Sequence, residues 1–340
     1  MYTGVHWLYL NLAEANLQSF VPAWATYRGM IATPNILLDS SARKTHLGLT
    51  PHLVRLFRSR NIVALEKEMT LEKMRRERYP NATSRLNCIY CWPDEVTARL
   101  APKFWANQGR HFDDRYLTDI GVSASKYPTI VDTRWVDKYV INSNQPLSVI
   151  GTDWIDSYWS GLNYPWNGDA DIPREPLLEC LIEGTALIYG TKLRMDAYSI
   201  VEKLSPDAVG ILEKGRLGVD ICTRFDGQEE WRLGQIVPVL MTNKEKTALE
   251  INHLLCLDDK MAGAVNAKVL KAGIPPSEIN YQALKVFERD TFTLPDLRAI
   301  NVDVSWLNSH SSLFSQVNHL LTSFFLESGG SFTSAIEHHS

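Results

Sequence analysis

The stretch that most constrains this chain is IVALEKEMTLEKMRRER, residues 62–78. Leu65, Met69 and Met74 recur near helical spacing, and Glu72 stands four residues before Arg76, where the two can pair across one turn. The spacing predicts a helix over 62–78, ended by Tyr79-Pro80-Asn81. SRLNCIYCW, residues 84–92, follows at once. Read as a strand, it puts Leu86, Cys88, Tyr90 and Trp92 on one face and Arg85, Asn87, Ile89 and Cys91 on the other. A second helix start comes next, with Asp94 as cap and Pro102 limiting its length.

From residue 116 to 193 strands and turns are expected. VDTRWVDKYVI, LSVIGT and TALIYGTKLR read as strands, and YWSGLNYPWNGDADIP reads as a long loop. Beyond about residue 200 the pattern turns helical, in LSPDAVGILEKG, KEKTALEINHLLCLDDKMAGAVNAKVLKAG and PSEINYQALKVFERD. The expected organisation is therefore α+β over residues 1–200 and mainly helical over residues 201–340. There is no internal repeat or low-complexity tract.

With 340 residues, 45% of them hydrophobic and 22% charged, the chain has the composition of a soluble globular protein. Disorder, collagen and a disulfide-dense mini-protein are excluded. The net charge of −4 gives no global field for a nucleic acid or a membrane. Locally the balance differs: residues 41–115 hold 15 Lys and Arg against 8 Asp and Glu. The N-terminus lacks the basic start of a secretory signal, and the apolar region 302–326 is interrupted by polar residues, so a cytoplasmic protein without a membrane span is expected. Five cysteines, an odd number, fit reduced thiols better than a disulfide framework.

Phosphate-binding Walker, G-x-G-x-x-G, G-x-S-x-G and H-E-x-x-H signatures are all missing. Cys88-x-x-Cys91 has no second Cys/His pair to complete a zinc site, His111 stands alone, and on a strand the two thiols point to opposite faces. No metal is expected. Buried core thiols are the expected reading of both.

Three pieces, in order, carry a resemblance: Tyr27-Arg28-Gly29 with the later Thr45-His46-Leu47-Gly48; YPNATSRLNCIYCWPDEVTARLA, residues 79–101; and DSYWSGLNYPWNGDADIPREPLLECLIEG, residues 156–184. Together they resemble the ADP-ribosyltransferase superfamily of NAD-using toxins and effectors, over roughly residues 20–195. The resemblance implies an ADP-ribosyltransferase-like split β-sheet domain that binds NAD, with residues 201–340 as a helical accessory domain.

It implies that Arg28, beside Tyr27 and Gly29, forks onto the NAD pyrophosphate or ribose. Ser84 would hold the neighbouring ribose or the catalytic carboxylate, and Tyr90 would stack on nicotinamide, although its shared face with Leu86 and Trp92 also suits a core residue. Arg85 is a further candidate for a phosphate. Glu179 is the candidate catalytic carboxylate, with Glu175 and Glu183 as rivals. It would stabilise oxocarbenium charge as the nicotinamide–ribose bond breaks. Read locally, residues 176–183 suit a short helix that would leave Glu179 facing solvent. Leu177 stands where many protein-modifying members carry a second acid, which turns the expectation from protein arginine toward RNA or DNA as acceptor.

A toxin of this kind implies a cognate inhibitor, or antitoxin, protein. The alternative is a non-catalytic nucleic-acid-binding or interaction protein using the basic region 41–115, with Arg55, Arg58, Arg60, Arg75, Arg76 and Arg78 beside Tyr79, Tyr90 and Trp92.

Overall fold

The long helix forms over Ile62–Arg78, where its spacing predicts it. The Asn61 side chain accepts from the Ala64 amide at 3.0 Å, and the Tyr79 amide closes the far end on the Arg75 carbonyl. The computed structural model describes residues 1–10, 12, 20–34, 47–105, 112–168, 174–204, 235–242, 249–256, 291–293, 302–303, 310, 313 and 315–317. Its main elements are β1 (Tyr2–Tyr9), α1 (Phe20–Arg28), β2 (Met30–Ala32), β3 (Leu47–Gly48), α2 (Pro51–Ser59), α3 (Ile62–Arg78), β4 (Ile89–Cys91), β5 (Leu117–Ala124), β6 (Thr129–Asp132), α4 (Asp153–Trp159), β7 (Leu178–Ile182), β8 (Gly184–Ile188), α5 (Thr191–Leu204), β9 (Gln235–Thr242), β10 (Leu249–Cys256), β11 (Thr291–Thr293) and β12 (Val302–Asp303).

The described residues are α+β with antiparallel sheets. One sheet has the order β1-β5-β8-β2, a second β4-β7-β6, and a third β11-β10-β9-β3 with β12 on β10. The first two are joined where β7 passes into β8 through Glu183, and again where Trp7 and Trp92 exchange backbone hydrogen bonds. Gly184 sits at the first junction. A Cβ there would lie 2.3 Å from the Ser123 carbonyl oxygen, so only glycine allows the strands to approach so closely.

The sheet β4-β7-β6 divides two cores. Ile89, Cys91, Cys180 and Ile182 face one, with Leu10, Trp24, Ile120 and Ala197. Cys88, Val131 and Leu181 face the other, with Leu71, Trp135, Trp154 and Tyr158. The helix α3 serves the second core through Leu71 and Met74, but it also buries Lys67, Glu68, Glu72 and Arg75. Lys67, 1% exposed, donates from Nζ to the carbonyls of Tyr139 and Ser143 at 2.8 and 2.7 Å.

Several local readings are corrected. Only Ile89–Cys91 of residues 84–92 is a strand, because the Ser84 hydroxyl accepts from the Leu86 amide and starts a 3-10 turn over Arg85–Asn87. The 176–183 helix is instead β7, buried between partners on both edges. Tertiary pairing here overrides local propensity. VDTRWVDKYVI continues β6 only to Asp132, whose carboxylate accepts from the Arg134 amide and opens helical turns over residues 134–141. LSVIGT makes a helical turn at Leu147–Ile150, between Pro146 and a left-handed Gly151. TALIYGTKLR is strand to Ile188 and helix from Thr191.

In the C-terminal part, LEINHLLC, expected to be helical, is the strand β10, paired along its length with β9. The described segments 235–242, 249–256, 291–293 and 302–303 are likewise strands. The other helices expected there lie outside the described residues. The boundary at residue 200 falls within α5, and β3 pairs with β9 across it.

Replacing Lys67 with Met would leave two partly buried carbonyls without their donor. This change is expected to lower the unfolding free energy by about 1–3 kcal/mol, read as a lower urea midpoint at unchanged slope. An unchanged midpoint would show that water replaces the ammonium there.

Candidate functional site

Two carboxylates set four residues apart on α3, Glu68 and Glu72, lie on one helix face, each 1% exposed. Each is met by arginine. Glu72 accepts from Arg75 Nε at 2.9 Å and Nη2 at 2.8 Å, from Arg76 Nε at 2.8 Å and from the Ser84 hydroxyl at 2.7 Å. Arg75 Nη1 also donates to the Ala82 carbonyl at 2.7 Å, which ties the turn after the helix back onto it.

Glu68 is gripped from two sides. Arg85 donates from Nε at 3.2 Å and from Nη2 at 3.3 Å, and His52 of α2 approaches at 3.1 Å. Burial alone would raise the Glu68 carboxyl, but the Arg85 guanidinium and His52 outweigh it and hold it well below the usual carboxylate range. Burial pushes His52 down and keeps it neutral against the pull of Glu68. Arg55 Nη2 lies 3.0 Å from His52 Nδ1. Since guanidinium only donates, Nδ1 accepts and the Nε2–H donates to Glu68.

Arg85 Nη1 donates to the Tyr158 hydroxyl of α4 at 2.9 Å and stands 3.5 Å from Glu179 Oε2. Its guanidinium carbon lies 5.3 Å from the Tyr90 ring centre and 5.7 Å from that of Tyr158. The Tyr90 hydroxyl donates to the Arg85 carbonyl, and its ring meets His52 edge-on at 5.6 Å. Burial raises both tyrosine hydroxyls, so both remain neutral donors at ordinary pH. His52, Glu68, Arg85, Tyr90, Tyr158 and Glu179 thus converge from α2, α3, the 3-10 turn, β4, α4 and β7.

Of the three candidate acids, Glu179 alone faces this cluster. It is 8% exposed on the central strand, paired with Val131, and is not on a helix surface. Glu175 is exposed, and Glu183 lies 3.2 Å from Lys126. Ser84 does hold a carboxylate, but it is that of Glu72 rather than Glu179. Arg85, expected to contact a phosphate, is turned inward onto carboxylates.

Tyr27, Arg28 and Gly29 lie elsewhere. Gly29 ends α1 with φ +78°, and its carbonyl accepts from Ile188 at the far end of β8. Nine residues, up to about 30 Å of strand, separate Ile188 from Glu179. The Tyr27 ring lies tilted against that of Tyr198 of α5 at 5.0 Å, and Arg194 Nε donates to the Tyr27 carbonyl at 3.3 Å.

Glu68, His52 and Tyr158 were missed by the sequence reading. The available signal was a pair of acids, Glu68 and Glu72, placed among the apolar positions of the helix. Among the described residues no group of three His, Cys, Asp or Glu side chains can hold a metal, and no helix is long and apolar enough to cross a membrane. No protein-family model and no curated protein matches the chain.

The pH dependence of stability follows from the two shifted groups. A base held below its unfolded value of about 6.5 makes the unfolded chain take up a proton first, so stability falls as pH drops through that value. The depressed Glu68 contributes stability above about pH 4.3 that is lost as pH falls below it. His52→Gln is expected to flatten the decline between pH 7 and 5, by up to about 1.4 kcal/mol per pH unit, while the loss at lower pH persists. Denaturant titrations at each pH check this. An undiminished slope in the variant would assign the decline to other groups.

Proposed function

We propose that the protein is an NAD-dependent ADP-ribosyltransferase, toxin-like in kind, that transfers ADP-ribose to a macromolecular acceptor and releases nicotinamide. The observation that carries this reading is the position of Glu179. It is a carboxylate on the central strand of a sheet, sheltered from water, set beside a guanidinium and two tyrosines whose positions other contacts fix. Two sheets joined at β7–β8 suit the split β-sheet that the sequence resemblance implies.

In the proposed reaction the bond between ribose C1′ and the nicotinamide nitrogen breaks. Its electron pair leaves with nicotinamide, and positive charge develops on the ribose. Glu179 accepts from the 2′-hydroxyl and stabilises that charge, and an acceptor nucleophile then closes on C1′ and gives up its proton. Arg85 holds the carboxylate in place, and Tyr90 offers a ring face beside it. Tyr27, Arg28 and Gly29 enter this reading through the resemblance alone.

Nucleic acid is the acceptor favoured over protein, since Leu177 stands where a second acid would direct modification to arginine. Arg75 and Arg76 are engaged by Glu72 and Arg78 by Asp156, so the exposed basic surface proposed to meet a polyanion is that of α2, where Arg55 and Arg58 are exposed. An inhibitor protein would accompany such an activity.

Glu179→Gln keeps shape and removes charge. It is expected to slow nicotinamide release about 10²–10³-fold, with Glu175→Gln and Glu183→Gln near wild type and all three folded by thermal melting. Wild-type turnover in Glu179→Gln would remove the residue on which the reading rests. For the acceptor, Arg55→Gln with Arg58→Gln is expected to reduce the slope of log affinity against log salt for single-stranded nucleic acid by about 0.7 per lost phosphate contact. An identical slope would leave α2 an ordinary solvated face.

A further inference from the structure

On the face of β7 opposite Glu179, the register of the sheet makes Cys91 of β4 and Cys180 of β7 direct cross-strand partners. Residues so paired in an antiparallel ladder point to the same side, with Cα atoms about 4.5–5.5 Å apart. That span lies inside the range over which a disulfide closes without moving the backbone. Both side chains are free thiols, 1% and 0% exposed, and Cys91 Sγ lies 3.7 Å from the Cys180 carbonyl oxygen. Cys88, the other half of the Cys-x-x-Cys pair, lies in the opposite core and cannot compete.

A third group lies on the same side of the sheet: Trp7 bridges Trp92, so their neighbours His6 and Cys91 both point to the opposite face from those two rings. His6 of β1 is buried in the same core, with Nε2 2.8 Å from the Tyr2 hydroxyl and with Nδ1 buried and lacking an oxygen or nitrogen partner. Hydrogen bonding from Cys91 and the proximity of His6 bring the Cys180 thiol down to about 6 against the effect of burial, while burial pushes Cys91 up. The pair is thus asymmetric: Cys180 is the attacking sulfur and Cys91 the resolving one.

We propose that Cys91 and Cys180 form a reversible cross-strand disulfide, a modification site on the reverse of the strand that carries Glu179, with a small peroxide as oxidant and His6 as the group that accepts the Cys180 proton. The Cys180 thiolate attacks one peroxide oxygen, the O–O bond breaks, and hydroxide leaves, giving a sulfenic acid. The hydroxide takes up the proton held by His6 and becomes water. Cys91 sulfur then attacks the Cys180 sulfur, the S–O bond breaks, and the departing oxygen leaves as a second water with the Cys91 proton. Two thiols are oxidised by two electrons, and one peroxide is reduced to two waters. A thiol reductant reverses the bond. The disulfide does not depend on NAD chemistry and stands or falls separately from the proposed transferase.

The test uses the full chain treated with hydrogen peroxide, then denatured, alkylated and digested for peptide mass mapping. The expected product links the Cys91 and Cys180 peptides, with Cys88 alkylated, and disappears on reduction. His6→Asn is expected to move the pH profile of oxidation upward toward the ordinary thiol value, about 8.5, without abolishing the link. Cys91→Ala and Cys180→Ala, tested separately in case one fails to fold, are each expected to lose the link. Full alkylation of both thiols after peroxide, or a link to any other cysteine, would overturn the proposal. An unmoved pH profile in His6→Asn would overturn the role of His6.

Discussion

Two negative charges four residues apart on one buried face of α3 require cancelling before anything else in this half of the molecule can be arranged. Side by side on a helix they repel, and removal from water costs each several kcal/mol (of order, after relaxation) unless it is paired and hydrogen-bonded. The pairing comes from the last turn of the helix itself for Glu72, and from the segment that follows it for Glu68. Arg75 clamps Glu72 and holds the Ala82 carbonyl, Ser84 adds its hydroxyl, and Arg85 reaches back to Glu68. The turn is therefore positioned by charge neutralisation, and β4 starts where that turn leaves it. Replacement of one member would strand another, which is the costly case for buried ion pairs, typically about 3–5 kcal/mol.

From there the alternation of β7 decides the chemistry available on each side. Successive strand residues face opposite ways, so Glu179 enters the core that holds Arg85 and Tyr158, while Cys180 enters the core that holds Cys91 and His6. A one-residue slip in register would exchange them and put a carboxylate into the aliphatic core around Ile120 and Ala197. Gly184 guards against that slip, because the close approach of Ser123 tolerates no side chain at that point of the strand.

What was legible in the sequence was local. The limits of α3, the Asp94 cap and the opposite facing of Cys88 and Cys91 all follow from caps and periodicity within a few residues. Glu179 could be singled out by motif, but its strand could not, because the partners that make residues 178–182 a strand lie about fifty and ninety positions away in the chain. The same distance hid Cys180 from Cys91 and Tyr158 from Arg85. Gly29 shows the converse. Its place beside an arginine suggested a ligand, whereas its left-handed φ and its carbonyl bond to Ile188 already require a glycine that ends a helix and starts a strand. In the C-terminal part, an apolar run such as LEINHLLC suits helix and strand equally until a partner strand is known.

The arrangement around Arg85 bears on the proposed function through rigidity rather than through charge alone. Its guanidinium is fixed by two bonds to Glu68 and one to Tyr158, its carbonyl by Tyr90, and Glu68 in turn by His52. These contacts come from four separate elements, so no single side-chain rotation releases it. A carboxylate set 3.5 Å from such a group keeps its orientation without reorganising when charge develops nearby. This is the condition under which an electrostatic group lowers a barrier most effectively. The burial that makes the network costly to build also keeps its dielectric low, so the network that fixes the turn is the same one that stands beside Glu179, the carboxylate on which the proposed transferase rests.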